Sequence, residues 1–143
     1  MTVTVAAEVP SRAELVRLYD AVGWTAYTRD PDTLVAALEG SHTVLTARAP
    51  GDGRLIGLIR TVSDGRTVVY VQDLLVDPAH QRSGVGGALL DAVIERSRHV
   101  RQLVLLTDDE EGQRVFYEGR GFTEAHDVVP APLRSFVRLR RGA

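Results

Sequence analysis

The feature that most constrains the fold is a β-branched run followed by a glycine-rich turn and then an apolar helical pattern. The run TVVYVQDLLV, residues 67–76, predicts a strand, and the spacing of the later apolar residues predicts a helix. Between them lie Gly84, Gly86 and Gly87. A glycine in a helix interior costs about 1 kcal/mol against alanine, so this cluster indicates that another group comes close to the backbone. Free N–H groups and the helix dipole attract an anion, so the turn is a candidate phosphate cradle, to which Arg82 would add a bidentate contact.

The missing residues narrow which phosphate ligand the turn would take. A Walker loop requires a lysine after its last glycine, and the chain contains no lysine. The dinucleotide fingerprint requires glycine or alanine where Leu89 stands. The glycines by themselves also fit a tight strand-to-helix turn without a ligand, and both interpretations stay open at this point.

The segments before the cradle predict helices and then strands. TVTVAAEV predicts a first strand, and Ser11 with Glu14 forms a capping-box pattern at the start of a helix. Asp30 as cap and Pro31 at the first position begin a second helix, and WTAYTR between the two predicts a loop with two large aromatic residues. The runs HTVLTAR, RLIGLIRTV and TVVYVQDLLV then predict an antiparallel meander.

The segments after the cradle complete a mixed α/β pattern. QLVLLT predicts a short strand buried on both faces. The acidic run 108–111 is expected to cap and charge the start of a helix that holds Val115–Tyr117. SFVRL predicts a final strand. With no internal repeat, we expect one domain over residues 1–143. The terminal arginines are expected to form a solvated strand edge and tail: Arg134, Arg138, Arg140 and Arg141.

The composition excludes several kinds of chemistry. The chain has no cysteine and no lysine, which removes disulfides, thiolate nucleophiles and Schiff-base lysines. A net charge of -2 without a basic face argues against nucleic-acid binding, and no apolar run approaches the ~18 residues of a membrane span. His42, His80, His99 and His126 show no metal-ligand spacing, so we expect no metal. We expect a bacterial cytoplasmic protein without a secretory signal.

Two motifs in order carry a resemblance to a known family. QRSGVG, residues 81–86, resembles the acetyl-CoA signature of the GNAT acetyltransferases, which reads Gln or Arg, two residues, Gly, one residue, then Gly or Ala. FYEGRGF, residues 116–122, is similar to the family's Tyr-x-x-x-Gly-Phe element. The resemblance covers nearly all of residues 1–140. It implies the GNAT fold, a single mixed and mostly antiparallel sheet flanked by helices with a splayed central strand pair.

The resemblance also implies roles for individual residues. The backbone of Leu75 and Val76 would pair with the pantetheine arm, and Tyr117 would contact the cofactor and protonate the departing thiolate. The family often has an asparagine seven residues before that tyrosine, and this chain has Glu110 there. The predicted binding set for the coenzyme A pyrophosphate is the loop Gln81, Arg82, Ser83, Gly84, Val85, Gly86 and Gly87.

The reaction requires further groups. A primary amine with a pKa near 10.4 is only about 0.04% neutral at pH 7, so a base is needed, and Asp73 just before the cofactor-contacting residues is the best candidate. The alternative for Asp73 is a carboxylate at the surface or in a turn that pairs with an arginine. Trp24 and Tyr27 lie in a segment that lines the acceptor site in similar proteins, although Trp24 also fits simple packing over the sheet.

The prediction is therefore an acetyl-CoA-dependent N-acetyltransferase that acts on a primary amine of a small molecule or polypeptide. With no cysteine to carry the acetyl group, we expect direct attack in a ternary complex, and the alternative is an acetyl-enzyme intermediate on a serine or a histidine. The alternatives are a non-catalytic acyl-CoA-binding regulatory or sensing module of the same fold and a nucleotide-binding domain. The family resemblance also makes a homodimer an expectation.

Overall fold

The computed structural model describes residues 3–140, so Arg141 of the terminal arginine group lies outside them. The chain divides into two units at the bond between Leu106 and Thr107. The first unit holds the sheet and four helices, and the second holds one helix and the C-terminal segment. Each is described by itself.

The first unit is built on one five-stranded sheet in the order β1-β2-β3-β4-β5. β1, β2, β3 and β4 pair antiparallel, each with the next strand along the chain, and β5 pairs parallel with β4. The predicted meander and the mixed, mostly antiparallel sheet are therefore confirmed. The strand bounds are β1 Thr4–Ala7, β2 Thr43–Arg48, β3 Leu55–Ser63, β4 Val68–Val76 and β5 Gln102–Leu105.

The helices begin where the capping residues predict. Ser11 accepts a hydrogen bond from the N–H of Glu14 and the Glu14 carboxylate accepts one from the Ser11 N–H, which completes the capping box. Asp30 caps the third helix by accepting from the Thr33 N–H. The bounds are α1 Arg12–Ala21, α2 Thr25–Thr28, α3 Pro31–Glu39, α4 Val85–Arg96 and α5 Glu111–Glu118.

The short helix α2 corrects the predicted loop WTAYTR. A single helical turn is too short to show hydrophobic periodicity in a sequence. The turn is closed by the Arg29 N–H, which donates to the Thr25 carbonyl at 3.0 Å, and Tyr27 packs its ring 5.1 Å from that of Tyr19. Tertiary packing of Tyr27 therefore holds a turn that local propensity does not specify.

Helices cover both faces of the sheet in the first unit. The residues of α1 and α3 that point inward, such as Leu15 and Leu34, share one core cluster with Leu58 and Leu75 of the sheet. On the other face Gly57 of β3 lies directly under the first turn of α4. β4 therefore presents alternate residues to the two helical layers.

β4 and β5 separate halfway along β4. The two strands pair only from Val68 to Val71, and the pairing of β4 with β3 shifts by one residue at the next position, Gln72. A bulge of this kind bends a strand and increases its twist. Residues 73–76 of β4 continue along β3 without a β5 neighbour, which is the splay implied for the central strand pair.

Two strand predictions at the end of the chain are wrong. QLVLLT is not buried on both faces, because β5 is the last strand of the sheet and the side chains of Gln102 and Val104 are exposed. SFVRL forms no strand, because a strand requires a neighbour to complete its hydrogen bonds and residues 135–139 have none among the described residues.

The second unit is organised around the aromatic face of α5. Tyr117 contacts the rings of Phe116 and Phe122 edge-on, with centroids 5.0 Å and 5.7 Å away. The acidic run predicted to cap this helix does so only in part: Glu110 occupies the N-cap position but its side chain makes no capping hydrogen bond.

Candidate active site

The glycine-rich turn adopts a conformation that turns its backbone N–H groups outward. Arg82 has a φ of 63° and Gly84 a φ of 86°, so two left-handed residues stand just before α4. A left-handed conformation costs an ordinary L-residue roughly 1–2 kcal/mol, so Arg82 is held there by the surrounding fold. Gly84 is itself the N-cap of α4 and has no side chain to cover the helix end.

The N–H groups of this turn have no hydrogen-bond acceptor among residues 3–140. The first helical bond of α4 runs from the Ala88 N–H to the Gly84 carbonyl at 3.0 Å. None of the N–H groups of residues 82–87 donates a hydrogen bond to another described residue. A row of free N–H groups at the positive end of a helix dipole is a site for a phosphate or pyrophosphate.

A buried aspartate fixes the approach to the turn. Asp77 caps a single 3-10 turn over Pro78–His80 by accepting from the Ala79 N–H at 2.9 Å. Its other carboxylate oxygen faces the guanidinium groups of Arg17 and Arg54, each at 3.7 Å. Because Asp77 is only 6% exposed, its two cations and its cap together hold the start of the loop in place.

Gly57 sets how closely α4 approaches the sheet. A Cβ at this position would lie 2.8 Å from Cγ1 of Val85 and 3.1 Å from Cδ1 of Leu89. These residues belong to the first turns of α4, so any larger residue at position 57 would push the N-terminus of the helix outward. The sequence prediction missed Gly57, and its only signal was one glycine inside an otherwise apolar strand.

The free edge of β4 continues from the cradle. The Asp77 N–H donates to the Ile56 carbonyl at 2.8 Å, and antiparallel pairs alternate in hydrogen bonding, so Leu75 directs its N–H and C=O toward β3. Val76 directs its backbone groups to the open side, where its carbonyl accepts from Nε2 of Gln81 at 3.3 Å. By the same alternation Leu74 also faces the open side.

Asp73, the predicted base, lies in a buried polar cluster. Its carboxylate is 3% exposed and accepts from Nε of Arg60 at 2.5 Å and from the hydroxyls of Tyr19 and Tyr27 at 2.9 Å and 3.0 Å. One oxygen accepts from both Arg60 and Tyr19, and the other accepts from Tyr27. The pairing with an arginine agrees with the alternative weighed in the sequence analysis, but the carboxylate is buried within β4 and lies neither at the surface nor in a turn.

The cluster keeps its tyrosines protonated. Burial raises the pKa of Tyr19 well above its usual value, and the charge of Asp73 raises it further. The pKa of Tyr27 is raised for the same two reasons. Burial works against the charge of Arg60, but the hydrogen bond and charge of Asp73 outweigh it, so the pKa of Arg60 is raised. At neutral pH the cluster is therefore an ion pair with two tyrosine donors.

The two residues predicted to contact the acceptor lie over this cluster. The rings of Trp24 and Tyr27 are 6.2 Å apart, and Trp24 meets the ring of buried Tyr19 edge-on at 5.9 Å. Trp24 is 36% exposed, and Tyr27 is half-buried with its hydroxyl on Asp73. The structure thus brings Trp24, Tyr27 and Asp73 together through Tyr19 of α1, a residue that the sequence analysis did not identify as part of the site.

Tyr117 lies on α5 in the second unit, where it is half-buried. Burial raises its pKa, and the charge of Asp108 raises it further. Its hydroxyl has no hydrogen-bond partner among residues 3–140, so a proton on that oxygen is not committed elsewhere in the described chain. Glu110, at the position of the family's asparagine, is the N-cap of the same helix.

Two features are absent from the part of the chain that the structure describes. Residues 3–140 contain no group of three or more histidine, aspartate or glutamate side chains arranged to hold a metal ion. None of the described helices has the length and apolarity needed to cross a membrane.

Known proteins resemble this chain in sequence and in structure. Residues 39–124 match a family model described as an acetyltransferase (GNAT) domain. The histone acetyltransferase TAP1 of Glycine max is 32% identical over 120 residues, which cover 76% of this chain and 50% of that protein. The glucosamine 6-phosphate N-acetyltransferase of Trypanosoma brucei brucei is 33% identical over 82 residues, which cover 57% of this chain and 55% of that protein.

The solved structures extend the match to the fold. A GNAT-family acetyltransferase from Streptococcus pneumoniae TIGR4 is 31% identical and superposes with a TM-score of 0.81, covering 98% of this chain and 99% of that one. The chain spans about half the length of the first plant relatives that it matches. The match to the family model begins in α3 and ends in the second unit, so it crosses the boundary between the two units.

Proposed function

The chain belongs to the GNAT acetyltransferase family, and on that premise we propose that it transfers an acetyl group from acetyl-CoA to a primary amine. Acetyl-CoA supplies an activated thioester when bound. In the transfer a C–N bond forms and the C–S bond breaks, the amine loses one proton and the thiolate gains one. The reaction needs no enzyme-bound acetyl intermediate, and the chain has no cysteine to carry one.

The observation that carries the proposal is the row of unpartnered N–H groups over residues 82–87. Pyrophosphate is a multiply charged anion that matches such a row at a helix N-terminus. The left-handed Arg82 and Gly84 turn the loop toward a ligand, and the Arg82 side chain is exposed and free to add a charged contact. The remaining members of the proposed binding loop are Gln81, Ser83, Val85, Gly86 and Gly87.

We propose that the pantetheine arm pairs with the backbone groups on the open edge of β4. Hydrogen bonding alternates along the strand, so Val76 and Leu74 direct their backbone groups away from β3 and are the proposed partners of the arm. Val76 was predicted from the sequence, and Leu74 is added by the structure. Leu75 is then a packing residue of that edge, with its side chain 3% exposed in the core. Backbone N–H groups on this edge are also the proposed donors to the oxyanion that forms during acyl transfer.

We assign the final proton transfer to Tyr117. A raised pKa keeps this hydroxyl protonated at neutral pH, which suits a group that donates to a departing thiolate. The assignment is carried by the position of Tyr117 in the motif FYEGRGF, and the uncommitted hydroxyl agrees with it.

Asp73 is proposed as a positioning residue instead of the base that abstracts the amine proton. Its carboxylate already accepts from three donors, so the proton of the amine would leave through water. Asp73 would act by orienting Tyr27, and through it the aromatic surface formed with Trp24. That surface suits the face of an amine-bearing acceptor.

The acceptor class remains broad. The names of the relatives specify a histone for one protein and glucosamine 6-phosphate for another. These acceptors share a primary amine and little else, so the proposal extends only to a primary amine on a small molecule or a polypeptide. We include a cytoplasmic location, because acetyl-CoA is available there.

Thermal stabilisation by acetyl-CoA, coenzyme A, ATP and NAD, measured in parallel, tests the binding site. A ligand at 100 times its Kd stabilises the folded state by about 2.7 kcal/mol, which is a readily measured shift in Tm. We expect a shift with acetyl-CoA and coenzyme A only. A shift with ATP or NAD alone would favour a nucleotide-binding domain and refute the assignment.

Turnover is tested by release of free thiol from acetyl-CoA with a panel of primary amines. An acetyltransferase releases thiol faster when an acceptor amine is added, whereas a non-catalytic acyl-CoA-binding module does not. Parallel initial-rate lines at varied acetyl-CoA and amine would indicate an acetyl-enzyme and contradict direct attack, while intersecting lines would support a ternary complex.

A further inference from the structure

A cavity of about 240 Å³ lies in the first unit, beside the C-terminal end of α4. Its walls come from the start of β2, the end of β3, the start of β4, and the last turn of α4 with the loop that follows it. At ~1.5 Å per residue the 12 residues of α4 are about 18 Å long, and the glycine-rich turn lies at the opposite end of that helix. The cavity is therefore separate from the proposed cofactor site.

Short side chains on the sheet leave this space open. Gly57 and Thr61 both belong to β3 and face the same side of the sheet, because an even number of residues separates them. At Gly57 the absence of a side chain lets Val85 of α4 pack against the strand. Toward the other end of the helix, Thr61 and its β2 partner Thr43 are short, and they line the cavity together with Val93 of α4.

Thr61 brings an unpartnered hydroxyl to this cavity. The residue is only 1% exposed, and its hydroxyl makes no hydrogen bond with another described residue. Ser63, two residues further along β3, differs because its hydroxyl donates to the Val68 carbonyl and accepts from the Gly65 N–H, each at 2.7 Å. A buried hydroxyl without a partner destabilises the folded protein, so the hydroxyl of Thr61 is a group that a bound molecule would satisfy.

The exposed side chains of the cavity carry positive charge. Arg96, in the last turn of α4, forms no ion pair with another described residue, whereas nearby Arg98 pairs with Glu95 at 3.2 Å. His42 and His99 are also exposed and also line the cavity. No aspartate or glutamate is among the described residues that line it. These charges favour an anionic ligand over a cationic one.

The acidic residue that adjoins the cavity in sequence is engaged within its own turn. The carboxylate of Asp64 accepts from the N–H groups of Arg66 and Thr67 at 2.9 Å and 2.8 Å, and from the Thr67 hydroxyl at 2.6 Å. Across this turn, Nε2 of His99 donates to the Gly65 carbonyl at 2.9 Å. That bond joins the β3–β4 turn to the loop after α4, so the two sides of the cavity are held together.

The inner wall of the cavity is apolar. Val69 of β4 and Val93 of α4 are both buried and both line it. Water in the liquid occupies about 30 Å³ per molecule, so the cavity has room for roughly eight non-hydrogen atoms. An apolar wall with a few placed polar groups is typical of small-molecule sites.

We propose that this cavity binds a small organic carboxylate that carries a second oxygen, as a hydroxy or oxo acid does. Arg96 and the two histidines face the carboxylate, Val69 and Val93 contact the short carbon chain, and the Thr61 hydroxyl donates to the second oxygen. The inference does not depend on acetyl transfer, because none of these residues belongs to the proposed cofactor or acceptor site.

Titration of the labelled full chain with 4-oxopentanoate and with 3-hydroxybutyrate tests the binding, followed through backbone amide resonances. We expect saturable shifts at Gly65, Ser97 and Val100, with the amides of residues 82–87 unmoved. Two matched probes separate the contributions. Pentan-2-one has a methyl group in place of the carboxylate of 4-oxopentanoate, and pentanoate lacks its ketone oxygen, so each should bind more weakly than 4-oxopentanoate, pentan-2-one by tenfold or more.

Substitution of Arg96 tests the carboxylate contact. Arg96→Gln should raise the Kd for 4-oxopentanoate at least tenfold. The matched control is Arg98→Gln, which removes the same charge from an exposed residue that does not line the cavity, and it should leave that Kd nearly unchanged.

Substitution of Thr61 distinguishes a ligand-binding hydroxyl from a structural one. Thr61→Val keeps the shape of the side chain and removes its hydroxyl. We expect a Tm that is unchanged or higher, since a buried unpartnered group is lost. At the same time the affinity for 4-oxopentanoate should fall to that for pentanoate. A structural hydroxyl would instead lower the Tm when removed.

Three results would overturn the proposal. One is the absence of saturable shifts at the cavity with both acids. Another is equal weakening of binding by Arg96→Gln and Arg98→Gln. The third is binding of pentan-2-one or inorganic phosphate as tight as that of 4-oxopentanoate, because either would remove the requirement for a carboxylate on a carbon chain.

Discussion

Replacing Asp73 with asparagine separates the two roles considered for this carboxylate. The substitution keeps the shape of the side chain and removes its charge. Arg60, whose side chain is only 9% exposed, is then left as a buried cation without its anion. The hydroxyls of Tyr19 and Tyr27 lose a charged acceptor at 2.9 Å and 3.0 Å.

The expected cost follows from these contacts. Removing one partner of a buried ion pair destabilises a protein by roughly 3–5 kcal/mol. The asparagine oxygen still accepts hydrogen bonds, so we expect Asp73→Asn to lie at the lower end, about 3 kcal/mol. For a domain of this size such a loss lowers Tm by about 10 °C and leaves a folded protein to assay.

The assay combines urea unfolding with initial rates under conditions where both proteins are folded. We expect the loss of stability together with a raised KM for the amine, a kcat within tenfold of the parent and an unchanged shape of the rate–pH profile. The matched control is Asp32→Asn, which removes an ion pair to Arg12 that is just as close at 2.6 Å but exposed. That control should change stability by no more than about 0.5 kcal/mol.

A double-mutant cycle with Arg60→Met gives a second measure. If the two side chains stabilise each other, the double variant loses less stability than the sum of the single variants. A combination of three results would refute the positioning role. Asp73→Asn would lower the free energy of unfolding by less than about 1 kcal/mol, kcat would fall more than 100-fold, and the rate–pH profile would lose the limb that reports a base. That combination would restore Asp73 as the general base.

Three further predictions concern other parts of the chain. Gly84→Ala and its control Gly23→Ala each add a Cβ at a positive φ, 86° and 83°, where no atom lies within 4 Å, so each should cost about 1–2 kcal/mol of stability. Only Gly84→Ala should raise the KM for acetyl-CoA tenfold or more, and equal effects of the two substitutions on that KM would contradict the cradle. Tyr117→Phe should lower kcat with the KM for acetyl-CoA little changed, and an unchanged kcat would remove Tyr117 as the acid. The hydrogen bond from Arg48 lowers the pKa of Glu14 from 4.5 to about 2 in the folded protein. This lowered pKa contributes about 1 kcal/mol of stability above pH 4.5, and the contribution is lost as the pH falls from 4.5 toward 2. Glu14→Gln should therefore flatten this part of the curve of urea midpoint against pH.

The predictions that the structure confirmed depend on residues adjacent in the sequence. The capping box at Ser11 and the proline at the start of α3 begin helices where the sequence indicates, because a cap is decided by contacts within one turn. The strand meander also follows from β-branched runs and turn residues. The helical turn in WTAYTR was missed because a helix of four residues is held by the packing of Tyr27 on Tyr19 of α1, a contact that local propensity does not show.

The strand predictions at the C-terminal end were wrong for a related reason. A strand is stabilised by its neighbour, and a β-rich sequence such as SFVRL cannot show whether a neighbour exists in the same chain. Burial of QLVLLT likewise depends on its place in the strand order, and β5 is the last strand. Neither property is encoded in the residues of the segment itself.

For the candidate site the division is similar. By itself the sequence determined the glycine-rich turn, its place between a strand and a helix, and the motif around Tyr117, because each depends on residues adjacent in the chain and on the backbone freedom of glycine. Only the tertiary structure decided that Asp73 meets Tyr19, Tyr27 and Arg60, which are 54, 46 and 13 residues away in the chain.

The tertiary structure alone also decided that Gly57 lies under α4 and that β4 leaves β5 at Gln72. These arrangements arise when separate elements pack and pair at a particular register. The energy of such contacts belongs to pairs of residues far apart in the chain, so no single segment contains the information that specifies them.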